Sequence, residues 1–143
     1  MKKSYDQFHV KKDNIYRARH DRYSNHELTR QFTQGPMGLG DNLKRTFPEV
    51  VRFTKINRGS PVSLSNGDLR FKESRVFFAS DDFFTIFSFP LIVGVDSSVL
   101  KDPFTMVISE SMAKKYFADA NPIGKTLKNQ RQRRVHHHGY FSR

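Results

Sequence analysis

Residues 79–127 read ASDDFFTIFSFPLIVGVDSSVLKDPFTMVISESMAKKYFADANPIGKTL, and here helix and strand signals follow one another more densely than anywhere else in the 143-residue chain. Ser80 offers a helix N-cap, Asp81 and Asp82 suit the positive end of the helix, and Phe83, Ile86 and Phe87 fall on one face before Pro90 stops the run. LIVG (91–94) predicts a short buried strand and TMVIS (105–109) a second. Ser109 then caps a helix whose Met112, Ala113, Tyr116 and Phe117 form the apolar side, while Lys114 and Lys115 face water. Helices and strands thus alternate without a βαβ rhythm, which predicts an α+β fold. Phe83, Phe87 and Phe89 are the expected core anchors, each removing about 2–3 kcal/mol worth of apolar surface from water.

Upstream, GPMGLGDNLKRTFPEV (35–50) predicts a helix of about ten residues. Pro36 stands at its first position, Met37, Gly40, Leu43 and Phe47 follow at helical spacing, and Pro48 ends it. EVVRFTKI (49–56) and LRFKESRVFFAS (69–80) are rich in β-branched and aromatic residues and read as strands. They stand around a loop or hairpin, NRGSPVSLSNGD (57–68), which carries the turn signal Asn66-Gly67. At the amino end, SYDQFHVKKDNIYRARH (4–20) can place Tyr5, Phe8 and Lys12 along one side of a short helix before IYRARHDRY (15–23) alternates as a strand.

The totals narrow the function. The chain has no cysteine, which excludes disulfides, thiolate catalysis and cysteine-based metal centres. No run approaches the roughly 18–20 apolar residues of a membrane-spanning helix, and Met1-Lys2-Lys3 leads into Ser4-Tyr5-Asp6 rather than an apolar signal core, so the sequence as written reads as soluble and untargeted. The net charge of +11 sits at the ends: +4 in residues 1–30, +1 in 31–124 and +6 in 125–143. Residues 1–128 read as one domain. Residues 129–143 offer only Val135, Tyr140 and Phe141 as large apolar groups and are expected to be a disordered basic tail, capable of weak, sequence-independent contact with polyanions.

Motifs with chemical meaning do not accumulate. NPIGKT (121–126) ends like a phosphate-binding loop but has Asp119 where the pattern needs glycine. GPMGLG has the wrong glycine order for a dinucleotide fingerprint. Ser111 and Lys114 fit S-x-x-K, yet no companion motif follows. Asp81 and Asp82, being adjacent, diverge by about 100° on a helix and do not form an acid/base pair. His136, His137 and His138 are consecutive and do not converge as ligands at i, i+4 spacing would. His9, His20 and His26 lack partners at ligand spacing. No catalytic, cofactor-binding or metal residue is assigned, no cofactor is expected, and the chain is not expected to be an enzyme.

Four segments in this order carry a resemblance: SYDQFHVKKDNIYRAR, GPMGLGDNLKRTFPEVVRFTKI, the stretch 79–127, and a weak echo in HHHGYFSR. Together they resemble the first part of the MacB-like periplasmic core domain of FtsX-type ABC transporter permeases, above all those of the Bacteroidota. The resemblance covers about residues 4–128. It implies a porter-like α+β module on the periplasmic side of the inner membrane, between the first two transmembrane helices, moving with them when a cytoplasmic ATP-binding subunit hydrolyses ATP. Its implied partners are that subunit and the permease helices; substrate and oligomeric state are left open. The family pattern expects a transmembrane helix before Tyr5, three more after the domain, and an alternating strand after Leu127. Their absence here, with Arg131, Arg133 and Arg134 in place of that strand, implies a truncated or frameshifted fragment. The alternative is a free-standing basic protein that binds nucleic acid or anionic membrane.

Overall fold

The computed structural model describes residues 12–32, 34–36, 38–129 and 134–141. A single 3-10 turn at Lys12–Asn14 precedes β1 (His20–Ser24), β2 (Glu27–Phe32), α1 (Leu39–Thr46), β3 (Ile56–Arg58), β4 (Val62–Asn66) and β5 (Leu69–Glu73). There follow β6 (Phe77–Ala79), α2 (Phe83–Ile86), β7 (Leu91–Val93), β8 (Thr105–Ser109), α3 (Glu110–Phe117), β9 (Thr126–Asn129) and β10 (Arg134–Phe141). The fold is α+β, and the chain divides into two units, residues 1–53 and 54–143.

In the first unit β1 and β2 form an antiparallel hairpin. Its turn residues Asn25 and His26 have φ of 50° and 65°, the left-handed conformation that a tight two-residue hairpin turn demands. The strand expected from Ile15 begins only at His20, where β2 supplies a partner. Helix α1 starts at Leu39, not Pro36: Gly38 holds φ 87° at the N-cap, and Pro36 contributes its carbonyl to the Leu39 N–H at 3.1 Å. Gly40 is required there because a Cβ would overlap the Phe53 ring. The expected helix at Tyr5 and Phe8, and the role of Met37, lie outside the described residues.

In the second unit six strands join in the order β5-β4-β9-β10-β7, with β8 also paired to β10. β4 comes from within the segment expected to be a loop or hairpin. Its alternation had been masked by flanking Gly, Ser and Pro, but Leu64 is buried and the turn at Gly67 (φ 56°) pairs Asn66 with Leu69. Most of EVVRFTKI is irregular; β3 begins at Ile56 and pairs antiparallel with β6 as a separate two-stranded ribbon. LRFKESRVFFAS is likewise split into β5 and β6.

The disordered-tail expectation fails for residues 134–141. β10 is antiparallel to β9 through Arg134–His136, parallel to β8 through His136–Phe141, and antiparallel to β7 at Tyr140 and Phe141. The expectation weighed only side-chain burial, whereas a strand with partners on both edges also satisfies its backbone N–H and C=O groups.

The core lies between this sheet and α3: Leu64, Ile108, Ala113, Tyr116, Phe117 and Leu127, with Val62, Phe71, Met106 and Met112 packed at its margin. Ser109 caps α3 as its sequence predicts, its Oγ accepting from the Met112 N–H at 3.3 Å. LIVG is a strand, but Ile92 and Val93 are substantially exposed rather than buried.

Candidate functional site

The phenylalanine knot is packing, though not as its spacing predicts. α2 is one turn long, too short to own a face, and the buried ring is Phe84 rather than Phe83, Phe87 or Phe89, which are half-buried. The four rings pack on one another: Phe83 meets Phe84 edge-on at 5.0 Å between centroids, Phe87 at 5.2 Å and Phe89 in a stacked pair at 5.7 Å. Ser80 does not cap the helix. Its Oγ accepts from the Lys55 N–H and bonds Thr54 Oγ1, each at 3.0 Å, tying the strand-to-helix corner to the chain before β3.

On α3 the polar groups are engaged with one another. Tyr116 Oη donates to Glu73 Oε1 at 2.9 Å, and Lys115 Nζ donates to the same oxygen at 2.7 Å while lying 4.2 Å from the Phe71 ring centroid. Burial foremost, then the hydrogen bond and negative charge of Glu73, push the Tyr116 hydroxyl well above the usual tyrosine range. Lys115 therefore does not simply face water; its stem spans apolar rings and its ammonium closes over the core. Ser111 Oγ sits 3.0 Å from Oγ of the capping Ser109, and Lys114 pairs with Glu110 at 2.9 Å, so the two S-x-x-K residues are engaged with separate partners, the cap hydroxyl and an i, i+4 ion pair.

NPIGKT forms the corner between α3 and β9. Asn121 Oδ1 accepts from the Ile123 N–H at 3.0 Å, Gly124 holds φ 75°, and Lys125 Nζ rests 5.5 Å from the Phe117 ring centroid. Its lysine thus covers a core aromatic ring. The backbone of His136–His138 runs in β10, where His136 pairs with Thr105 of β8 and Thr126 of β9, His137 pairs with Met106, and the register shifts at His138.

Two surfaces remain conspicuous. On the β3–β6 ribbon Phe77 and Phe78 are 60% and 65% exposed. In the first unit an open concavity of about 320 Å³ is lined by His20, Arg22, Phe32, Gln34, Gly35 and Pro36. No sequence motif pointed to either, since each depends on pairing across strands.

The second unit is an α+β module built around a six-stranded sheet and a capped helix. The chain belongs to the MacB-like periplasmic core domain family, whose model matches residues 1–135. Among solved structures it is similar to a domain described as that of a permease protein from Porphyromonas gingivalis, at 26% identity and a TM-score of 0.66, covering 81% of this chain and 49% of that one. It also shares the fold of the periplasmic region of MacB from Actinobacillus actinomycetemcomitans, at 22% identity and a TM-score of 0.54, covering 72% of this chain and 48% of that one. The chain therefore spans about half the length of these two relatives. A comparison with curated proteins found no match. Among the described residues no helix is long and apolar enough to cross a membrane.

Proposed function

We propose that residues 1–128, together with β10, serve as a non-catalytic extracytoplasmic domain of an ABC transporter permease, on the periplasmic side of the inner membrane. In this reading the domain moves with the permease's transmembrane helices and couples ATP hydrolysis by a cytoplasmic subunit to export or gating of a substrate. The family match over residues 1–135 carries the reading. The packing supports it, because Ser111 is bonded to the capping Ser109, Lys114 is ion-paired with Glu110, and Lys125 of the corner after α3 lies over the Phe117 ring.

The test exploits the absence of cysteine. Asp96→Cys, in the exposed turn after β7, is introduced into the gene at its own locus. The reading expects the protein to react with a membrane-impermeant maleimide in cells whose outer membrane alone is permeabilised, and to co-purify with an ABC ATP-binding subunit. Labelling only after complete lysis, with no such subunit recovered, would refute it.

A further inference from the structure

The β3–β6 ribbon leaves backbone hydrogen-bonding groups open at its edges. Ser80 N–H donates to the Lys55 carbonyl at 3.1 Å and Gly59 N–H to the Val76 carbonyl at 2.8 Å, one on either side of the Asn57–Phe78 pair. In an antiparallel ladder this spacing turns the backbone groups of Asn57 and Phe78 toward each other, and those of Phe77 and Ala79 to the outer edge of β6. Among the described residues no strand pairs with that edge and no hydrogen bond engages Phe77 or Ala79 there. Phe77 and Phe78 flank the edge from opposite faces, and both are exposed.

Charge selects the occupant. Residues 55–61 and 74–80 contain Lys55, Arg58 and Arg75 and no acid, a formal +3. Arg58 and Arg75 are exposed and, among the described residues, have no ion-pair partner. The flanking Glu73 is already bonded to Tyr116 and Lys115, and Asp81 and Asp82 lie beyond Ser80, at the end of the ribbon away from Arg58 and Arg75. A second copy of the chain would set these cations against their own images, and open backbone groups are costly in the hydrocarbon of a bilayer. We propose that the outer edge of β6 docks an extended acidic segment of another protein, which adds a strand beside β6, lays apolar side chains on Phe77 and Phe78, and brings carboxylates into the field of Arg58 and Arg75. Strand addition of this kind takes its affinity from the main chain and its specificity from alternate side chains. The site does not depend on the permease reading.

The experiment titrates the full chain into a fluorescein-labelled peptide, Asp-Asp-Val-Thr-Val-Thr-Val-Asp-Asp, and follows anisotropy. Two further peptides serve as controls, one with lysine for every aspartate and one with two prolines at its centre. The acidic peptide is expected to bind saturably, and each control about tenfold more weakly or less. Hydrogen exchange of the nitrogen-15-labelled chain should show the amides of Phe77 and Ala79 protected on binding, with little change at Phe78, whose amide faces β3 throughout. Arg75→Glu should weaken the acidic peptide about tenfold, and Phe77→Thr, at an exposed position, should weaken it without moving the thermal transition. Lys101→Glu, the same charge change outside the ribbon, should leave affinity unchanged. The proposal is overturned if binding does not saturate, if the lysine peptide binds equally well, or if Phe77 and Ala79 stay unprotected. It is equally overturned if Phe77→Thr instead abolishes self-association of the chain or its binding to vesicles of phosphatidylcholine and phosphatidylglycerol.

Discussion

Tyr116 and Glu73, 43 residues apart in sequence, are joined by a 2.9 Å hydrogen bond in which the buried tyrosine hydroxyl donates to the carboxylate at the end of β5. This bond fixes α3 against the β4–β5 hairpin. Tyr116→Phe keeps the ring and removes the donor, and should cost about 1–2 kcal/mol in urea unfolding. Tyr116→Ala, which also opens a cavity, should cost about 3–5 kcal/mol.

The same pair predicts a pH dependence. Ionisation of Tyr116 is pushed upward in the folded protein, so on raising pH the unfolded chain loses this proton first, near the ordinary tyrosine value of about 10. Above that value the native state binds more protons than the unfolded state, and stability falls as pH rises. The contribution is fully present below pH of about 10. Melting curves between pH 8 and 11 should show a decline at the alkaline end that is shallower in Tyr116→Phe; equal slopes would assign the decline to other groups.

Within the phenylalanine knot, the structure orders the rings by burial. Phe84→Ala should destabilise by about 3–5 kcal/mol, and Phe87→Ala by distinctly less because its ring is half-buried. Chemical denaturation of the two variants side by side checks the order, and a larger loss at Phe87 would contradict it.

Gly40→Ala runs against helix propensity. Alanine is favoured over glycine in a helix by roughly 0.8–1 kcal/mol, yet here the added methyl group meets the Phe53 ring and should give a net destabilisation of about 1–3 kcal/mol. Combining it with Phe53→Leu should recover much of the loss, which a double-mutant cycle would read directly.

Removing residues 130–143 deletes β10, the strand to which β7, β8 and β9 are all paired. The shortened protein should lose cooperative thermal unfolding and associate through its uncovered strand edges. Retention of a sharp, unshifted transition would mean that the sheet stands without β10.

What the sequence determined by itself is the set of features governed by local chemistry: the Ser109 cap and the apolar side of α3, the turn at Asn66-Gly67, the α+β class, and the ordered motifs that mark the family. The cap, the apolar side and the turn each depend on residues within one or two turns of chain, and the class and motifs on their order along it. The start of β1, the existence of β4, the incorporation of residues 134–141 as β10, and the burial of Phe84 over its neighbours were decided only by tertiary structure. A strand exists where a partner supplies hydrogen bonds, and a short helix buries whichever ring its neighbours enclose. The concavity of the first unit was illegible for the same reason: its residues lie in two stretches, 20–22 and 32–36, that meet only through the hairpin's pairing.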